Sequence, residues 1–283
     1  AGEGDGQDRF RLCQWSAGVA GRKTLFRAGG CACVHCDDGT MTQPVLLIGG
    51  MDSSGGAGLA RDLLAAQASG QTACLAVTAV TAQTDRRVLV VEPVAPSLLA
   101  VQIEAALEAG IGAVKIGALF NAPLIRVVAA LLPDVPVVLD PVLCSSSGHA
   151  LLDPEGMQAL IALLLPRTTI LTPNLPELAA LAAALGMAPA VEREEIVNAL
   201  LSRGCRSVLL KGGHDLPSSV SEDVLYGTGS PPVAFRSPRF SFELRGTGCQ
   251  LASALAAGLV MGKDLPEAIR AARCGVEERF RNA

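Results

Sequence analysis

Residues 45–62, VLLIGGMDSSGGAGLARD, read as a strand, a glycine turn and a helix. Val45, Leu46, Leu47 and Ile48 form a short apolar run of the kind a buried strand needs. Glycines at 49, 50, 55, 56 and 58 then place five in ten residues, which suggests close backbone approach to a ligand. Leu59, Leu63 and Leu64 fall on one face of the helix that follows, with Asp62 in its first turns. This is the layout of a binding loop at the carboxyl edge of a sheet. It lacks the lysine of a phosphate-binding GxxxxGK[ST] loop, and its glycine spacing is wrong for a dinucleotide fingerprint. A plain tight turn is the other reading of these residues.

The same unit recurs near the carboxyl end. Gly246-Thr247-Gly248-Cys249 leads into a small-residue helix with apolar positions at Leu251, Leu255, Leu259 and Val260. Unpaired first-turn N–H groups and the positive end of the helix dipole equip such a turn to hold an anion. The same field is expected to favour thiolate at Cys249, as a base or nucleophile. A helix entry with a buried cysteine fits the four residues equally well.

Between these motifs strands alternate with helices. A strand at 72–80 ends in Thr81-Ala82-Gln83-Thr84, and Gln83 there can both donate to and accept from a heteroaromatic ring. A short flap strand at 88–91, a helix at 96–109, a strand at 113–116 and a helix at 119–132 follow. The strand at 135–139 runs into Asp140-Pro141-Val142, where a carboxylate after an apolar run is costly unless it is solvated, paired or metal-linked. A helix at 154–165 and a strand at 169–171 precede Asn174 and Glu177, three apart at a helix start. That spacing is also a capping box. The strand at 207–210 is closed by Lys211-Gly212-Gly213-His214. A hairpin at 220–226 and 233–243 and a terminal helix at 265–280 complete the chain. The alternation predicts an α/β fold: a doubly wound, mostly parallel sheet flanked by helices on both faces, with its polar motifs along one edge.

Composition narrows the function. With 283 residues, half of them hydrophobic, the chain can bury a sizeable core. A net charge of -4 argues against nucleic acid or a membrane surface as partner. No apolar run approaches the roughly 20 residues that span a bilayer. Five of the nine cysteines (Cys74, Cys144, Cys205, Cys249, Cys274) are scattered without disulfide or metal spacing, so a reducing cytoplasm is expected. Residues 1–40 show no period and read as a disordered or non-native leader, with 41–283 as a single domain beginning at Met41. Cys31, Cys33, His35 and Cys36 are too cramped for the usual paired zinc knuckles.

With these residues in place, the chain from Val45 to about Phe280 resembles the hydroxymethylpyrimidine and phosphomethylpyrimidine kinases of thiamine biosynthesis, in the ribokinase-like superfamily. The resemblance is carried by GGMDSSGGAGLARD, TAVTAQT, VKIGAL, VVLDPVLCSSSG, TPNLPEL, LLKGGH and RGTGC, in that order. It implies a pyrimidine pocket at Gly50, Ala57, Asp62, Gln83 and Val142. It also implies Mg²⁺ organised by Asp140 and Glu177, ATP near Asn174, Lys211 and Gly213, and an anion hole at Gly246, Thr247 and Gly248 with Cys249 catalytic. The implied partners are small molecules, hydroxymethylpyrimidine and its monophosphate, and a homodimer stays open. Met51, Arg245 and Gln250 depart from the family pattern, and Arg245 would bring an extra cation to the phosphates. A pyridoxal kinase of the same superfamily and a pyrimidine-binding protein without catalysis remain as alternatives.

Overall fold

A computed structural model describes residues 43–84, 86–145, 148–212 and 219–283. The expected leader with its Cys31, Cys33, His35 and Cys36, and the predicted ATP-side residue Gly213, lie outside the described residues.

The strands are β1 (Val45–Asp52), β2 (Ala73–Gln83), β3 (Val88–Pro93), β4 (Ala113–Ile116), β5 (Val137–Leu139), β6 (Ile170–Leu171), β7 (Ser207–Leu210), β8 (Val220–Gly227) and β9 (Ser230–Pro238). They form one sheet in the order β3-β2-β1-β4-β5-β6-β7-β8-β9. Every pairing from β2 through β1 to β7 is parallel, while β3, β8 and β9 add antiparallel edges. The helices are α1 (Gly58–Ala68), α2 (Pro96–Leu107), α3 (Ala122–Leu131), α4 (Pro154–Ala159), α5 (Leu175–Ala184), α6 (Arg193–Ser202), α7 (Thr247–Val260) and α8 (Leu265–Arg281).

The strand period of two explains how one sheet feeds two cores. Leu46, Ile48, Val114, Ile116, Val137, Leu139 and Leu171 point to the layer that also contains Leu99, Ile125, Leu164, Leu181 and Leu200 of the helices. Val45, Leu47, Ala113, Val138, Ile170 and Leu209 point the other way, against Leu59, Leu255 and Ile269 of α1, α7 and α8. Parallel strands buried on both faces therefore read as unbroken apolar runs. In the second layer small residues bring helices close: a Cβ at Gly258 of α7 would lie 3.0 Å from the Ala268 Cβ of α8.

Local chemistry moves several expected boundaries. The helix expected at 119–132 starts only at Ala122, because Phe120 takes φ 67° and Asn121 caps the helix by accepting from the Leu124 N–H at 3.1 Å. The helix expected at 154–165 leaves α geometry at Leu160 and continues as π-helix to Leu164, then 3₁₀ to Arg167. Pro166, which has no N–H, sits in that last turn. β9 ends at Pro238 rather than near 243, leaving residues 239–246 as the approach to the glycine turn. No helix among the described residues is long and apolar enough to cross a membrane.

Candidate active site

The carboxyl ends of the parallel strands open into a cleft of about 1230 Å³. It is lined by Gly50, Ala57, Asp62, Gln83, Asp140, Val142, Asn174, Glu177 and Lys211, and by the 246–249 turn. Residues up to 199 positions apart in sequence thus face one space, as expected where crossover connections leave loops on a single edge.

The β1–α1 loop is held by Asp52. Its buried carboxylate accepts from Ser54 N at 2.8 Å, Ser54 Oγ at 2.7 Å and Ala57 N at 2.9 Å. Arg245 adds a bond from Nη2 at 3.2 Å, and its Nη1 donates to Ser54 Oγ at 3.0 Å. The arginine expected to bring a cation to phosphates lines the cleft and also ties the two glycine turns together. Their contact is backbone to backbone: a Cβ at Gly246, which has φ 72°, would lie 2.4 Å from Gly56 O. A side chain there would clash as well as strain.

The 246–249 turn opens α7. Gln250 N is an in-helix donor, reaching Gly246 O at 2.9 Å, so Thr247, Gly248 and Cys249 supply first-turn N–H groups. Facing them, Lys211 Nζ donates to Asp140 Oδ1 at 2.9 Å and lies 3.7 Å from Glu177 Oε2. Thr172 Oγ1 gives Asp140 a second bond at 3.2 Å. Glu177 Oε2 also accepts from Asn174 N at 2.7 Å, and Asn174 Oδ1 accepts from Glu177 N at 2.8 Å. The capping box read from the sequence is therefore real, and the same glutamate faces the lysine. Burial alone would raise Asp140, but Lys211 and Lys115 hold it below the usual carboxylate range. Glu177 is pushed up to about 6 by burial and by Asp140, against the pull of Lys211.

One expectation needs correction. Cys249 does not sit in a field that favours thiolate: burial pushes its thiol up to about 11. Lys115 and the Gly58 amide pull it down, but Asp62 and Asp140 push with the burial. Burial is the largest of these effects. Asp62, expected in the pyrimidine pocket, lines the cleft and is held from inside the protein. Lys115 Nζ donates to both its oxygens at 2.7 Å, and Ser253 Oγ donates to Oδ1 at 2.8 Å.

Lys115 itself was missed, as was Phe120. A single lysine inside the apolar run AVKI was the available signal for the first. Phe120 had none: its ring comes within 3.1 Å of a Cβ placed at Gly50, walling the cleft, and that depends on an unusual φ.

A profile of the family described as phosphomethylpyrimidine kinase matches residues 52–283. The chain belongs to that family. Members of it are phosphotransferases, and this chain is one. It is 36% identical over 238 residues to a hydroxymethylpyrimidine/phosphomethylpyrimidine kinase of Haemophilus influenzae, covering 82% of this chain and 88% of the relative. Its fold is similar to that of phosphomethylpyrimidine kinase from Clostridium difficile, with TM-score 0.71 and 32% identity over 84% of this chain and 99% of that one. It is similar also to pyridoxal kinase from Staphylococcus aureus in complex with AMP-PCP and pyridoxal, with TM-score 0.74 and 29% identity over 84% and 87% of the two chains. The ribokinase-like sheet expected from the motifs is the one these proteins share.

Proposed function

We propose that the chain phosphorylates the hydroxymethyl oxygen of 4-amino-5-hydroxymethyl-2-methylpyrimidine with ATP, and then phosphorylates the monophosphate to the diphosphate, as a step towards thiamine diphosphate. The observation that carries this reading is the single cleft in which Lys211, Asp140 and Glu177 face the anion-binding turn while Gly50, Ala57, Gln83 and Val142 line the remainder. The names of the relatives supply the substrate, and ATP is supported by the AMP-PCP complex of the Staphylococcus aureus enzyme.

Phosphoryl transfer asks for alignment and charge neutralisation rather than covalent help. The N–H groups of Thr247, Gly248 and Cys249 hold the oxygens of the transferring group as charge builds on them. Lys211 neutralises the phosphate chain, with Asn174 beside it. Gln83 pairs with the ring, and Cys249 takes the hydroxyl proton in the first transfer. The donor set suits Mg²⁺, which binds through one or two carboxylates and keeps waters and phosphate oxygens. Asp140 and Glu177 would hold it. The chemistry supplied there would be neutralisation of the charge on the phosphates.

The test is an ATP-consumption assay of the purified protein with hydroxymethylpyrimidine, its monophosphate and pyridoxal as separate acceptors. Turnover of both pyrimidines is expected. Turnover of pyridoxal alone would replace this reading with pyridoxal kinase, and binding of pyrimidine without turnover would make the chain a sensor.

A further inference from the structure

The two ends of the 246–249 turn meet different neighbours. At one end, a Cβ on Gly248 would lie 3.3 Å from Lys211 Nζ and 3.8 Å from Asp140 Oδ2, on the side where ATP and metal are proposed to bind. At the other, a Cβ on Gly246 would lie 2.4 Å from Gly56 O, 3.1 Å from Ala57 Cα and 3.2 Å from Arg61 Cγ. That second end belongs to the acceptor, because Ala57 and its loop border the proposed ring pocket.

Two arginines from opposite ends of the domain converge on the acceptor end. Arg61 stands in the first turns of α1; its Nη2 reaches Gly55 O at 3.5 Å, and its Nε is buried with no hydrogen-bond partner among the described residues. Arg279 stands near the end of α8 and borders the cleft. Its Nη2 donates to Arg245 O at 2.7 Å and its Nη1 to Gln250 Oε1 at 3.2 Å. Gln250, one of the departures from the family pattern, is itself anchored to Gly275 O at 2.9 Å. Arg279 is made less basic by burial and then by the charge of Arg61, so the two cations feel each other.

All the acceptors these two guanidiniums have among the described residues are neutral. Each uses a minority of its five donors. Like charges held together without a counter-ion are unfavourable, and an anion beside Arg279 relieves the repulsion while taking charge-assisted hydrogen bonds. A free hydroxymethyl group offers no charge. A phosphomonoester offers about -1.5 to -2 at neutral pH.

We infer that Arg279, on the wall of the cleft, recognises phosphate on the acceptor side of the turn, with Arg61 adding positive charge behind it, and that the two make the phosphorylated pyrimidine the preferred acceptor over the free alcohol. The inference rests on the kinase reading above. In the step it favours, an oxygen of the monoester attacks the γ-phosphorus of ATP, a new P–O bond forms, and the bond to the β–γ bridging oxygen breaks with its electron pair leaving on ADP. No proton has to be removed from an acceptor already ionised.

The experiment measures kcat and KM for both pyrimidines at saturating ATP in the wild type, Arg61→Gln, Arg279→Gln, the double variant and Arg279→Lys. The double variant should raise KM for the monophosphate tenfold or more while moving that of the alcohol less than threefold, and Arg279→Lys should recover part of the loss. Parallel changes for the two acceptors would reduce both arginines to scaffolding and overturn the inference. If the glutamine variants do not fold, the wild type still decides. Its KM for the monophosphate should climb several-fold as salt rises from about 0.02 to 0.3 M, through screening, with that of the alcohol nearly flat. Equal salt dependence overturns it. A wild type that turns over neither pyrimidine defeats the kinase reading, and this inference with it. One that turns over both without preferring the monophosphate defeats only this inference.

Discussion

Lys115–Asp62 and Lys211–Asp140 are the same pair of groups in two settings. In the first, both side chains are essentially inaccessible, at 1% and 0% exposure, and the lysine bonds both carboxylate oxygens while Ser253 bonds one of them again. In the second, Lys211 keeps 13% exposure, makes one bond to Asp140 and stops 3.7 Å short of Glu177. The closed pair has most of its bonds made internally, so it fixes structure. The open pair has donors and acceptors to spare towards the cleft, so it is where a charged ligand can add interactions. A buried ion pair is not stabilising in itself, yet removing one partner leaves a charge stranded.

That contrast makes four predictions. Asp62→Ala strands the Lys115 ammonium and should cost about 3–5 kcal/mol of stability, measured by urea denaturation, with the Asp62→Leu/Lys115→Met pair recovering much of it. A cost below about 1 kcal/mol would mean that the pair is not sealed. Lys211→Met, at the open pair, should instead lower kcat by about 10²–10³ and cost well under half the stability that Asp62→Ala does. A stability loss matching the first variant would erase the distinction.

Cys249 lies between the two pairs and sharpens the comparison through pH. With its thiol pushed up to about 11, only a small thiolate fraction exists at neutral pH, and that fraction grows about tenfold with each unit by which the pH rises towards 11. If the thiolate is the base, kcat/KM for the first phosphorylation should therefore rise about a hundredfold from pH 7 to 9. The second should stay nearly flat, because the monophosphate, with a second pKa near 6, is already ionised. Cys249→Ala should flatten the first profile and leave the second unchanged; a first profile already flat in wild type removes the base assignment. The smallest effect belongs to Arg126–Glu155, an ion pair just as short at 2.7 Å but with both side chains more than half exposed. Arg126→Ala should change stability by less than about 1 kcal/mol, since water already screens both charges. A larger loss would show that distance rather than burial sets the worth of these pairs.

Much of this protein follows from local rules. The apolar runs, their period and the glycine punctuation placed eight of the nine strands within a few residues, whereas β9, expected at 233–243, lies three residues earlier at its start and five earlier at its end. Gly246 and, in the β1–α1 loop, Gly55 and Gly58 were legible because a positive φ favours glycine wherever the chain goes. One local signal was passed over: Ile196, Val197 and Leu200 carry the helical spacing of α6. The capping box at Asn174 and Glu177 was legible too, because it closes over three residues. The tertiary structure alone decided what the charges do. Lys115 and Asp62 are 53 residues apart, Ser253 and Asp62 are 191 apart, and the high pKa of Cys249 comes from water lost when all of these pack together. Backbone preferences act between neighbours in sequence, whereas desolvation and ion pairing act between neighbours in space, which exist only once the sheet has brought its strand ends to one edge.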